Sequence, residues 1–198
     1  MAGSRSGGFS LPLRPTWNSP VILTFALLAC AVLALSGMTG GTLMPALFVV
    51  RPGFDFKDPF DYFRLVSHAV GHRDWPHLAA NFSVILLVGP ILEEKYGTSK
   101  LLRMMLVTAL FTGMLNAAFF STGLLGASGI AFMLILLASF VNHREGELPL
   151  TFVLVAVLFL SKEVSQAFAR DDISQFAHIM GGICGSVFGY VSGARGGR

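Results

Sequence analysis

Residues 124–132 read LLGASGIAF. Ser128 stands between Gly126 and Gly129, where a glycine-bearing loop gives way to an uninterrupted apolar run. A hydroxyl in that place is either a small packing residue, because Ser and Gly are enriched where membrane helices meet, or a nucleophile working below the membrane surface. The surrounding sequence decides between the two.

The setting is a membrane. Of the 198 residues, 54% are hydrophobic and only 13% are charged, with a mean hydropathy of +0.69. Soluble domains carry roughly a quarter charged residues. The net charge of +3 is small and its basic residues are scattered, so nothing suggests a nucleic-acid partner. Cys30 and Cys184 both fall inside apolar runs, where a structural disulfide is not expected. The first apolar run is long enough to span and is not followed by a small-x-small cleavage signal, so it is read as a span.

A spanning helix needs about 20 mostly apolar residues. Six candidates occur: 20–38, 77–92, 101–121, 126–141, 147–163 and 175–193. The expected fold is an all-α polytopic bundle of six membrane helices, residues 20–193, between an N-terminal segment 1–19 and a tail 194–198. With six spans the termini share one side. Eight Lys/Arg fall there, among them Arg5, Arg14, Arg144, Arg195 and Arg198, against six on the other face. That bias favours cytoplasmic termini. The one long connection, 39–76, carries Phe54, Phe56, Phe60, Tyr62, Phe63 and Trp75. Aromatic residues favour the headgroup layer, so this loop is expected to lie partly in the outer leaflet.

These directions bring polar residues to one depth. His77 opens the second span and Asn81 lies one turn deeper on the same face. Ser128 opens the fourth and His178 lies near the outer end of the sixth. Polar groups inside a membrane are costly and mark functional sites by default. The fourth span, at 16 residues, covers about 24 Å of a hydrocarbon core about 30 Å thick, which sets Ser128 below the outer surface. In the sixth, Gly181, Gly185 and Gly189 form a small-xxx-small stripe that permits close helix approach. Packed on Ser128–Gly129, that stripe would carry His178 to the hydroxyl, and serine needs such a base to act as a nucleophile. No Asp or Glu lies within the spans at a depth suited to orient His178, so the reading is a Ser–His dyad. The Ser128 amide, Asn81 and His77 are the candidate oxyanion donors. His68, His72 and His77 also permit a metal reading, but there is no His-Glu-x-x-His pattern and no metal or cofactor is expected. His68 and His72 are expected to hydrogen-bond within the long loop.

Taken together, these motifs resemble the rhomboid intramembrane serine proteases in their basic six-helix form. GASG at 126–129 is similar to the family's G-x-S-G around the nucleophile, AHIMGG at 177–182 to its A-H-x-x-G-G segment, and HLAAN at 77–81 to its H-x-x-x-N pair. The resemblance covers about residues 60–190 and keeps the order of the motifs. It implies Ser128 as nucleophile, His178 as base and His77 with Asn81 as oxyanion donors. Gly126 would give the loop room to bend, Gly129, Gly181 and Gly182 would support close packing, and Arg64 and Glu93 match structural positions. Phe132 replaces a frequent Tyr that packs on the histidine, and Phe63 a frequent Trp.

The implied activity is hydrolysis of peptide bonds in or beside membrane-spanning segments of other proteins. The site would open to the outer side of a bacterial inner membrane, with lipid as the medium and oligomeric state unspecified. Substrate entry beside the fifth span is expected, with 163–175 as a possible lid. The competing readings are a non-catalytic binder of membrane helices and a small channel. The first should lose the serine or the base; the second calls for ionisable residues through the whole depth of the membrane.

Overall fold

The computed structural model describes residues 16–141, 148–167 and 172–193. Among them the chain forms α1 (Pro20–Met38), α2 (Leu43–Leu47), α3 (Pro59–Ser67), α4 (Trp75–Tyr96), α5 (Thr98–Phe119), α6 (Ser128–Ala138), α7 (Leu150–Ala167) and α8 (Asp172–Gly193). Three of these, α1, α4 and α5, are long and apolar enough to cross a membrane, while α6 and the Phe176–Ser192 part of α8 are apolar but shorter. Lipid supplies no hydrogen bonds, and a helix satisfies its backbone internally.

The centre of the bundle is α6. Gly129, Ile130, Ala131, Met133, Leu134, Leu136 and Leu137 are all buried, and a helix that is apolar on every side belongs in a core. It packs against α4, α5 and α8, most extensively α8. The glycine stripe of α8 makes that contact. A Cβ at Gly181 would strike the Gly129 carbonyl group, one at Gly185 the Met133 carbonyl, and one at Gly189 the Phe140 ring. At Gly181 and Gly185 the two backbones therefore meet with no side chain between them, and at Gly189 the Phe140 ring fills the space.

At the opposite end, α1 is capped from a distance. Its N-cap, Ser19, makes no capping bond of its own. Instead the Glu93 carboxylate, near the end of α4, accepts from the Val21 amide at 3.0 Å and the Ile22 amide at 3.2 Å. It also accepts from the hydroxyls of Ser19 at 2.6 Å and Thr98 at 3.0 Å. A buried carboxylate at a helix N-terminus satisfies orphan N–H groups and favours the helix dipole. This one joins α1, α4 and α5 at a single point.

The structure departs from the expected organisation in three places. The fourth is an 11-residue helix, about 16 Å long, rather than 126–141. Gly126 takes φ 118° and Ala127 is not helical, so the helix cannot begin before Ser128. The long connection is not a plain loop. It contains α2 and α3, the latter started by Asp58, which accepts the Phe60 amide, followed by Pro59 at the first helical position. Finally, much of the expected lid is helical, since α7 runs to Ala167 and α8 starts at Asp172. Residues 168–171, the polar run 142–147 and the terminal arginines lie outside the described residues.

Ion pairs hold the long connection together. Arg64, 4% exposed, donates to the Ala46 carbonyl and to Asp61, and reaches Asp58 at 3.2 Å. Arg51 closes the set on Asp58 at 2.8 Å and Asp61 at 3.0 Å. Burial alone would raise the Asp61 carboxyl, but the Asp55 amide and the two guanidinium groups hold it below the ordinary range. Outside this polar centre Phe56, Phe60, Tyr62, Phe63 and Trp75 are exposed, the surface a bilayer-facing segment needs.

Candidate active site

Four segments converge around the head of α6. The first is the segment 124–127. Leu124 pairs with Val50 in an antiparallel bridge, N to O at 3.0 and 3.1 Å. The Gly126 amide donates to the His68 carbonyl at 2.9 Å, and the Ala127 amide to His72 Nε2 at 3.4 Å. The long connection therefore grips the residues just ahead of Ser128.

The second is the first turn of α4. Asp74 caps this helix, accepting the His77 amide at 2.7 Å, and Pro76 follows in the first turn. That backbone bond, with Arg73 beside it, holds the Asp74 carboxyl below the usual range. The cap fixes the turn from which His77 projects, and Asn81 follows on the same face. Both side chains reach Gly126. A Cβ there would lie 2.8 Å from His77 Cε1, 3.0 Å from His77 Nε2 and 3.7 Å from Asn81 Nδ2. Only glycine fits, on grounds of both space and backbone conformation. Asn81 is buried, and its Nδ2 has no hydrogen-bond partner among the described residues; nor does His77 Nδ1. A buried amide donor left unspent beside the backbone of a candidate nucleophile is a feature that calls for explanation.

The third and fourth are α6 and α8. Ser128, half-buried, is the first residue of α6. A Cβ at Gly129 would come 3.2 Å from the Ala177 carbonyl oxygen. The residue after Ser128 thus touches the residue before His178. One turn along α6, the Phe132 ring lies on the His178 imidazole, with centroids 4.2 Å apart and an interplanar angle of 40°. The expected packing of the glycine stripe on the Ser128–Gly129 region is present, and Phe132 keeps the stacking position without a hydroxyl. Gly182 is buried on the same helix, beside the stripe.

His68 and His72 do not simply bond within their own loop. His68 Nε2 lies 3.0 Å from the Ala109 carbonyl of α5, and His72 reaches across to Ala127. Burial pushes both imidazoles down to about 4. Among the described residues no three His, Cys, Asp or Glu side chains converge as metal ligands do. Sequence reasoning overlooked Asp74 and His72 as contributors to the site. The Asp-Trp-Pro string carried a capping signal for the first, whereas nothing local marked a bond across 55 residues for the second.

Fold and cluster together define a polytopic helical membrane protein with a serine at the head of its central helix and a histidine on the helix crossing it. The Rhomboid domain family model matches residues 59–195, and the chain belongs to the rhomboid family. Among curated proteins it is similar to the Rhomboid protease GlpG of Haemophilus influenzae, 23% identical over 143 residues, covering 71% of this chain and 74% of that protein. It is also similar to the Rhomboid protease GlpG of Yersinia pestis, 26% identical over 175 residues and 86% of this chain. Of that Yersinia protein it spans 62% of the length.

Proposed function

We propose that this chain is an intramembrane serine endopeptidase that cleaves peptide bonds in or next to membrane-spanning segments of other proteins, with Ser128 as nucleophile and His178 as general base. The observation that carries the reading is the close crossing of α6 and α8, backbone to backbone at Gly181 and Gly185. It sets Gly129 against Ala177 and Phe132 against His178, so the two reactive residues flank one contact. Family membership and the names of the curated relatives support the same activity.

In the proposed cycle His178 takes the Ser128 hydroxyl proton as the oxygen attacks the scissile carbonyl. The Ser128 amide lies in the first turn of α6, where N–H groups lack intrahelical partners. With the Asn81 amide and the His77 ring it would receive the negative charge on the carbonyl oxygen. The unspent donor of Asn81 and the approach of both side chains to the space beside Gly126 support that role. The protonated His178 then gives its proton to the leaving amine, and a water molecule activated by the same imidazole hydrolyses the acyl-enzyme. Only side chains, backbone amides and water take part.

The proposed setting is a bacterial inner membrane with cytoplasmic termini and the site opening outward. The Lys/Arg bias of the sequence and the bacterial sources of the relatives support it. A non-catalytic binder of membrane helices is the second reading, and the retained Ser128 and His178 speak against it. A fluorophosphonate probe distinguishes the two. Labelling mapped to Ser128 and lost in His178→Ala is expected; no labelling of Ser128 in folded protein would favour the binder.

A further inference from the structure

The long connection contributes a histidine that the dyad and its oxyanion donors do not use. His72 is fully buried, at 0% exposure, and each of its ring nitrogens faces a backbone group of opposite character. Nδ1 lies 3.1 Å from the Val70 carbonyl, which only accepts, so Nδ1 carries the hydrogen. Nε2 lies 3.4 Å from the Ala127 amide nitrogen, which only donates, so Nε2 offers its lone pair. The two partners select one tautomer of the neutral ring. The same ring stands against His77, with centroids 5.1 Å apart at 61°, and against Phe82 at 5.7 Å.

We propose that His72 is a positioning residue that fixes the backbone carrying Ser128, by holding the Ala127 N–H on Nε2 while its ring braces His77. The inference rests on the reading of Ser128 as nucleophile. Residues 124–127 are not helical, so their amides depend on partners elsewhere: Leu124 on Val50, Gly126 on the His68 carbonyl, Ala127 on His72. Of these three holds, only the one next to Ser128 is made by a side chain, so only that one can be removed by substitution. Without it, a buried N–H one residue ahead of the nucleophile has no acceptor. Ser128 and the oxyanion donors beside Gly126 then lose their common register. His72 touches no reacting atom and acts through Ala127 and His77.

Three substitutions separate this role from the filling of a core cavity. His72→Gln can place a carbonyl oxygen near the Nε2 position and accept from Ala127. His72→Asn reaches only the Nδ1 side, and His72→Leu fills the volume with no acceptor. In purified full-length chain in detergent, the readouts are the fluorophosphonate labelling rate at Ser128 and kcat and KM on a single-span substrate, with Ser128→Ala as blank. His72→Leu and His72→Asn should lower labelling and kcat by about 10- to 100-fold, the scale of an ångström misplacement, with KM little changed. His72→Gln should stay within about threefold of the wild type.

A Leu variant that labels at the wild-type rate, or a Gln variant as slow as Asn, would overturn the inference while leaving Ser128 as nucleophile. A folded wild-type chain that does not label at Ser128 would overturn both readings together. If the Leu variant does not fold, the Gln and Asn pair still decides the matter.

Discussion

Gly181→Ala puts the geometry of the site under the most direct strain. A Cβ at that position would lie 2.7 Å from the Gly129 carbonyl carbon and 2.9 Å from its Cα. Carbon atoms rest at about 3.5–4.0 Å, so α8 must withdraw from α6 by about 1 Å. Both neighbours are backbone within helices, so no side-chain rotation relieves the clash. His178 rides on α8, less than one turn from Gly181, and Ser128 adjoins Gly129. The withdrawal therefore separates the proposed base from the nucleophile by a similar distance. A misplacement of about 1 Å costs on the order of 100-fold in rate, and overpacking of this kind costs roughly 1–3 kcal/mol of stability.

The assay is cleavage of a fluorescent single-span substrate in detergent, with kcat and KM separated and thermal unfolding measured on the same preparation. The loss should fall on kcat. Gly37→Ala in α1 is the control, because a Cβ there meets nothing within 4 Å, and it should leave both quantities unchanged. Cleavage by Gly181→Ala within about threefold of the wild type would refute the claim that the α6–α8 crossing sets the reactive geometry.

Three further outcomes follow from the packing. Gly126→Ala adds a Cβ 2.8 Å from His77 Cε1 at a backbone φ of 118°, so activity should fall by about tenfold or more while the bundle stays folded, checked by kcat and circular dichroism. Glu93→Ala removes the acceptor of two α1 amides and two hydroxyls far from Ser128, so it should cost about 2–4 kcal/mol of stability and leave labelling of Ser128 below the melting temperature unchanged. The folded chain holds His68 and His72 at about 4 against an ordinary 6.5. The unfolded chain therefore binds more protons between those values. The stability they contribute is complete above about pH 6.5 and declines as pH falls toward 4, by about 2 kcal/mol per histidine at pH 5. Unfolding midpoints that do not move between pH 7 and pH 5 would contradict that sign.

The sequence made some of this legible and concealed the rest for physical reasons. Apolar runs locate membrane helices because lipid leaves the backbone no alternative, and the runs behind α1, α4 and α5 appear at nearly their observed bounds. The 181–185–189 stripe was readable for a similar reason, since glycine at every fourth position exposes backbone along one helix face. Hydropathy says nothing of backbone torsion, however, and LLGASGIAF reads as continuous with the run to Val141. The left-handed Gly126 and the helix end at Ala138 shorten that span to 11 residues.

Long-range bonds were equally hidden. Nothing near Ser19 shows that its helix is capped by Glu93, 74 residues away. Neither does anything near His72 reveal Ala127. Local capping pairs such as Asp58–Pro59 and Asp74 with Pro76 were present in the sequence. A loop reading based on aromatic and proline content passed over them, and with them α3.

The central claim is that Ser128 and His178 together hydrolyse peptide bonds within the membrane. It is tested most directly by reconstituting the chain in liposomes with a single-span substrate protein and comparing the wild type with Ser128→Ala and His178→Ala. The account predicts a discrete cleavage in or beside the spanning segment by the wild type and none by either variant. Cleavage that persists in Ser128→Ala, or a wild type that binds the substrate and never cuts it, would contradict it.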